Sequence, residues 1–169
     1  MKEEKLAIVF PGQGSQFVGM NAGVEHLDLV KDRFQQASDH LHLDLWNLVS
    51  NGPQGDLNKT MNTQPALLAM SVSIFDVFKK YTDIVPAVLA GHSLGEYSAL
   101  VCGGSLSYVD AIMLVSKRGK LMQEAVEETE GAMAAVVGLS EAELSLICSR
   151  ITKDMALPVE CANLNTANQ

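Results

Sequence analysis

Residues 90–97 read AGHSLGEY, a serine between two glycines, and the apolar run VPAVL stands directly before them at 85–89. A strand leading in and a helix leading out force a turn so tight that the flanking Gly91 and Gly95 are needed, because a Cβ there would clash. Such a turn leaves Ser93 exposed at a helix N-terminus. There the Leu94 backbone N–H and the helix dipole can stabilise negative charge developing on a carbonyl oxygen. Ser93 is therefore the candidate nucleophile, the alternative being a merely structural turn.

A nucleophilic serine needs a base. His92 is adjacent in sequence, but neighbouring side chains across a sharp turn project differently and do not share a hydrogen bond in line with attack. A structural role suits it better. His26, His40 and His42 lie upstream in a polar-rich amphipathic region, where a solvated helix face explains them. In α/β-hydrolase-like sites the base follows the serine in chain order. No histidine follows residue 92.

Elsewhere the punctuation is clear. Residues 6–10, LAIVF, form a short apolar run that stops at Pro11 and Gly12, which predicts a buried strand entering a glycine loop. A helix is expected over 21–41, then loop through the polar stretch SNGPQGDLNKT at 50–60. Gln64 and Pro65 open a longer helix that is apolar around most of its circumference. The strand at 85–90, the serine turn and a helix to Cys102 follow, the last ending at Gly103 and Gly104. Ser107 and Asp110 have capping-box spacing and start a helix to about residue 126. This order predicts a parallel α/β sheet. After residue 130 the pattern restarts with strand candidates at 131–137 and 158–161 around a helix at 140–150. Boundaries fall at 1–127 and 128–169.

In the 107–126 helix, Ala111, Leu114, Val115, Leu121 and Met122 share one face at about 100° per residue. Asp110, Lys117, Lys120 and Glu124 fall on the other. Arg118 sits amid the apolar face, where a guanidinium is costly unless an anion or acceptor meets it. An internal ion pair would explain it; so would a grip on a substrate carboxylate, which a planar guanidinium makes with two parallel hydrogen bonds. The loop GQGSQ at 12–16 is no dinucleotide or phosphate loop: Phe17 replaces the third glycine, and no Gly-Lys-Ser/Thr ending exists. Its backbone can approach a ligand, with the Gln13 N–H as a second oxyanion donor.

Composition excludes several classes. With a net charge of −8 and twelve scattered Lys and Arg residues, the chain offers no basic stripe for nucleic acid. No apolar run reaches the roughly 18–20 residues of a membrane helix, and the N-terminus lacks a secretory apolar region, so a soluble cytoplasmic protein is expected. Cys102, Cys148 and Cys161 are odd in number and far apart in sequence, with no CxxC. They read as small buried thiols, not as a disulfide framework or a zinc site.

FPGQGSQ, LNKTMNTQPALLA, AGHSLGEYSALVCGG, the stretch from Lys117 through Arg118 and Gly119 to Gln123, and GAMAAVVGL together resemble the malonyl-CoA:acyl-carrier-protein transacylases of bacterial fatty acid synthesis. The resemblance is collinear over essentially the whole chain. It implies an α/β-hydrolase-like parallel-sheet core with a small ferredoxin-like subdomain. It implies Ser93 as the acylated nucleophile, Gln13 and Leu94 as oxyanion-hole amides, and Arg118 as the malonyl carboxylate clamp. The reaction would be ping-pong between malonyl-CoA and acyl carrier protein, with no cofactor beyond the coenzyme A thioester that serves as substrate. Lys117 and Lys120 could help receive the acidic carrier, though a solvated helix face also explains them. Asn163, Asn165 and Gln169 match a polar stretch near that family's site, without an assigned role.

In that family the catalytic histidine and later core strands lie C-terminal to residue 169. The expectation is a polypeptide with nucleophile, one oxyanion wall and clamp but no base, either inactive alone or completed by a missing segment, and prone to aggregate through unpaired sheet edges. A serine esterase or thioesterase, and a non-catalytic fragment, stay open as alternatives.

Overall fold

The two apolar runs beside the glycine turns pair with each other. Strand β1 (Ala7–Phe10) lies parallel to β2 (Val88–Gly91) in the register Ala7 with Val88 through Phe10 with Gly91. The computed structural model describes residues 5–125 and 131–169. Parallel neighbours require a crossover, and four helices fill this one: α1 (Asp28–Leu41), α2 (Leu45–Asn51), α3 (Gln54–Leu57) and α4 (Thr60–Tyr81). Helices α5 (Leu94–Cys102) and α6 (Tyr108–Glu124) follow β2. These elements belong to one compact unit, Met1–Glu128, and α7 (Glu141–Met155) to a second, Thr129–Gln169. The protein is thus α/β with a small parallel sheet.

Its core joins Val30 and Phe34 of α1, Leu45 and Val49 of α2, Leu67, Leu68 and Val72 of α4, and Ile112 and Val115 of α6. Helix α4 contacts α1, α5 and α6, which accounts for its apolar circumference. The strands are less covered than their composition predicts. Phe10 is buried, but Val9 is 73% and Val88 53% exposed, because the described residues pack against only part of the sheet. A groove of about 420 Å³ beside β1 is lined by Phe10, Phe17, Met70, Ile74, Phe75 and Phe78.

Several expected boundaries move for identifiable reasons. Helix α1 begins at Asp28 instead of 21, since Gly19 and Gly23 adopt positive φ (86° and 88°) and turn the chain before it. The polar stretch at 50–60 is not simply loop. Asp44 caps α2 by accepting the Asn47 N–H at 2.9 Å, and buried Leu48, Val49 and Leu57 anchor α2 and α3 while their polar residues face water. Helix α4 starts at Thr60, so Pro65 lies inside it and leaves the Met61 carbonyl without its intrahelical donor.

Helix α6 opens on Ser107, whose hydroxyl accepts the Asp110 N–H at 3.1 Å. It ends at Glu124, and the expected end near 126 lies outside the described residues. Its buried face is Tyr108, Ala111, Ile112, Val115 and Gly119, while Leu114, Leu121 and Met122 are 46%, 55% and 43% exposed. The rotation relative to the expected face follows from Gly119. A Cβ there would stand 2.6 Å from the Thr60 carbonyl oxygen and 2.7 Å from Met61 Cα, so α6 crosses the start of α4 backbone to backbone.

In the second unit, α7 has the reciprocal Ser140/Glu143 capping box. The strands expected at 131–137 and 158–161 do not form. A strand requires a ladder partner, whereas residue 159 bonds the Thr152 hydroxyl and Gly138 donates to the Asn168 carbonyl at 2.9 Å. Of the three thiols only Cys148 is buried, and Cys161 has folded back onto the same helix, 3.8 Å from the Ser145 hydroxyl one turn before Cys148.

At the junction of α1, α4 and α6, Arg33 pairs with Asp76 at 2.7 Å, lies 4.8 Å from the Tyr108 ring centre, and accepts the Tyr108 hydroxyl on its carbonyl at 2.8 Å. Burial raises the Tyr108 phenol above its ordinary range, and burial with Asp76 nearby pushes the Cys102 thiol up to about 12. The unfolded chain releases both protons earlier, so stability is unaffected below pH 9 and falls as pH rises from there toward 12. Urea midpoints at pH 8 and pH 11 should show this fall, and Tyr108→Phe should make it shallower, leaving the part due to Cys102. Gly119→Ala should cost about 1–3 kcal/mol by overpacking. Gly55→Ala, with nothing within 4 Å of the added Cβ, should cost far less in the same denaturation series.

Candidate active site

The serine turn is built from missing side chains. A Cβ on Gly91 would overlap the Gly95 backbone, and one on Gly95 would overlap the Phe10 carbonyl. The helix that follows Ser93 can therefore sit directly on the end of β1. Ser93 itself caps α5 at φ 53°, ψ −108°, a conformation that costs a non-glycine residue about 1–3 kcal/mol. The His92 carbonyl accepts the Gly95 N–H at 2.9 Å and closes the turn, while the His92 side chain is exposed. His26, His40 and His42 are exposed too, and His40 bonds the Gln36 carbonyl on its own helix.

Leu94 is the first residue of α5, so its N–H has no intrahelical acceptor. The loop after β1 passes beside the same turn: the Cβ position of Gly12 is 3.3 Å from the His92 carbonyl oxygen. Gln13 follows in this loop, exposed, with its side-chain Nε2 donating to Thr60 Oγ1 at 3.1 Å. Thus β1, the turn and the start of α4 converge.

Arg118 reaches this place from α6. One guanidinium nitrogen donates to Ser93 Oγ and the other to Gln64 Oε1, each at 2.8 Å, and the guanidinium carbon is 5.6 Å from the Tyr97 ring centre. The side chain is half-buried, and no carboxylate pairs with it among the described residues. The internal ion pair considered from sequence is thus replaced by two neutral acceptors. Next to Arg118 is Gly119, whose close crossing over Thr60 brings the guanidinium within reach of α4 and α5.

Gln64 was legible only as a helix opener, yet it is fully buried and does more than that. Its oxygen accepts from Arg118 and its nitrogen donates to Met122 Sδ at 3.3 Å, so the amide orientation is held at both ends. The signal was present: a glutamine followed by ALLAMSV is a polar group inside a segment that will be buried, and such a group must be bonded. Tyr97, one turn after Ser93, was missed because an aromatic on an apolar helix reads as core. Among the described residues, no group of three or more His, Cys, Asp or Glu could hold a metal ion. Among the same residues, no helix is long and apolar enough to cross a membrane.

Residues 7–157 match the acyl transferase domain family. The chain is 52% identical over 168 residues to the malonyl CoA-acyl carrier protein transacylase of Haemophilus influenzae, covering 98% of this chain and 53% of that protein. It is 48% identical over 166 residues to the transacylase of Escherichia coli K12, with the same shares covered. The solved malonyl CoA-acyl carrier protein transacylase of Coxiella burnetii superposes with a TM-score of 0.90 at 50% identity, over 98% of this chain and 52% of that one. The chain spans about half the length of the curated relatives it matches. With a family match over most of its length and relatives of one name at about half identity, this chain belongs to the acyl transferase domain family.

Proposed function

We propose that this chain carries the nucleophile and the carboxylate clamp of a malonyl transferase that moves a malonyl group from coenzyme A to acyl carrier protein in cytoplasmic fatty acid synthesis. The observation that carries this reading is the bond from Arg118 to Ser93 Oγ, with Gln64 behind it. A cation held beside a nucleophile suits an acyl group that bears its own carboxylate. The similar transacylases bear this activity in their names, and one solved relative, 49% identical with a TM-score of 0.84, is a malonyl-transacylase in complex with an acyl-carrier protein.

Ser93 Oγ attacks the thioester carbonyl, and coenzyme A leaves as the thiol. The oxyanion is met by the N–H groups of Leu94 and Gln13. The malonyl carboxylate draws Arg118 away from Ser93 Oγ, because a charge-assisted pair is about twice as strong as a neutral hydrogen bond. This exchange fixes the acyl group and frees the hydroxyl in one movement. The carrier's thiol then takes the malonyl group from the serine ester. An acetyl group cannot make the exchange and meets an unpaired guanidinium instead. The coenzyme A thioester is substrate, and no cofactor enters these steps.

The proton of Ser93 goes to a base outside this chain's four histidines, so the 169-residue chain is inactive alone. In the complete architecture, 1–127 would be the first part of an α/β-hydrolase-like core and 128–169 the first half of a ferredoxin-like subdomain.

The chain by itself should transfer no malonyl group to carrier protein, and the chain fused to the remaining half of the Haemophilus influenzae relative should; equal turnover by both removes the proposal. In the fusion, intact mass after malonyl-CoA should show one malonyl adduct that Ser93→Ala abolishes. Arg118→Ala should lower kcat/KM for the malonyl thioester about 100-fold while changing the acetyl thioester far less. Full malonyl activity in that variant would point to an esterase or thioesterase. Gln64→Leu should give a smaller loss of the same kind, about 10-fold, read as a raised KM for malonyl-CoA.

A further inference from the structure

We propose that Cys148 and Cys161 form a dithiol that closes reversibly to a disulfide on reaction with a small disulfide of the glutathione class. The pair lies in the second unit and is independent of the acyl-transfer reading.

Ser145, Cys148 and Thr152 are spaced i, i+3, i+7 and share one face of α7. The segment after the helix runs back across that face. Thr152 Oγ1 accepts the Val159 N–H at 2.9 Å and donates to the Val159 carbonyl at 3.2 Å. Farther along, Ser145 Oγ and Cys161 Sγ are 3.8 Å apart. Cys148 sits between these two anchor points, one helical turn after Ser145 and on the face along which Cys161 is laid. A segment clipped at Val159 and laid against Ser145 holds Cys161 about one helical turn from Cys148, so a small shift along the helix face brings the two side chains to the Cβ separation of about 3.5–4.5 Å that a disulfide needs.

Access divides the labour. Cys161 is partly exposed and Cys148 is buried. Burial first, and the contact with Cys161 second, hold the Cys148 thiol above its ordinary range, so it stays protonated until an adjacent sulfur is attacked. The Cys161 sulfur attacks one sulfur of the small disulfide, giving up its proton to the first small thiol as that leaves, and a mixed disulfide remains. Cys148 then attacks the Cys161 sulfur, its proton passing to the second small thiol as that leaves. Two protein thiols and one small disulfide become one protein disulfide and two small thiols. The two electrons reduce the added reagent.

The third thiol supplies an internal control. Cys102 belongs to the other unit, and its thiol is pushed up to about 12.

The chain is equilibrated in glutathione buffers of rising oxidised fraction, quenched in acid, alkylated and digested with trypsin. Arg150 and Lys153 fall between the two cysteines, so cleavage there puts them on separate peptides joined only by a disulfide. The expected result is a joined peptide pair that appears in one step, vanishes with dithiothreitol and leaves Cys102 alkylated. Cys148→Ser should retain glutathione on Cys161, with the adduct about tenfold more abundant than in the unaltered chain. A lasting glutathione adduct on Cys161 in the unaltered chain, a bridge involving Cys102, or three alkylated thiols in fully oxidised glutathione would each overturn the proposal.

Discussion

The Phe10 carbonyl occupies the space a side chain at residue 95 would need, and the rest of the first unit depends on that contact. Because Gly95 is bare, α5 begins against the end of β1; because Gly91 is bare, the chain can turn from β2 into α5 with only His92 and Ser93 between the two elements. Two parallel strands alone make a weak sheet. Here their ends are locked by a helix start that touches both. The bond from Gly95 to the His92 carbonyl and the approach of Gly12 to that carbonyl add the glycine loop to the same knot. Strain at Ser93 is tolerable there because neighbours on each side determine the backbone independently.

Gly119 repeats the device on the other side of the site. A helix crossing with no side chain between backbones fixes the height of α6 over α4 more closely than interdigitated leucines would, since there is no rotamer to adjust. Arg118 inherits that precision. Its charge is met by an amide oxygen and a hydroxyl, both neutral. A carboxylate partner would have satisfied the guanidinium permanently, whereas neutral acceptors satisfy it only until an anion arrives. Gln64 makes the choice stable, since its own nitrogen is bonded to Met122 and the amide cannot readily turn its donors toward Arg118.

Legibility in the sequence followed the range of the physics involved. The parallel sheet, read from the order of elements, and the glycine-flanked serine and the cap at Ser107, read from local rules, are all present in the structure. The buried face of α6 was misjudged because it is set by a contact between Gly119 and residue 60, far away in sequence and invisible to periodicity. The same holds for Gln64, whose partners are on another helix. Residues 50–60 misled for the opposite reason: their polar composition is real, but four buried apolar side chains, Leu45, Leu48, Val49 and Leu57, suffice to anchor two short helices. Strands at 131–137 and 158–161 were read from composition alone, and composition does not supply a ladder partner.

The two units are held by different forces. The first contains the contiguous core of α1, α4 and α6, so its order rests on apolar burial. In the second, Cys148 is the only buried residue of α7, while Met133, Val137 and Leu146 are each at least 70% exposed. Its order rests on the Ser140 and Glu143 cap and on the hydroxyl of Thr152, groups worth about 1 kcal/mol each. Elements with few buried apolar contacts open at lower free energy than core helices. A covalent link between Cys148 and Cys161 would therefore act where noncovalent order is thinnest, converting a segment held by the hydroxyls of Thr152 and Ser145 into one that cannot leave its helix.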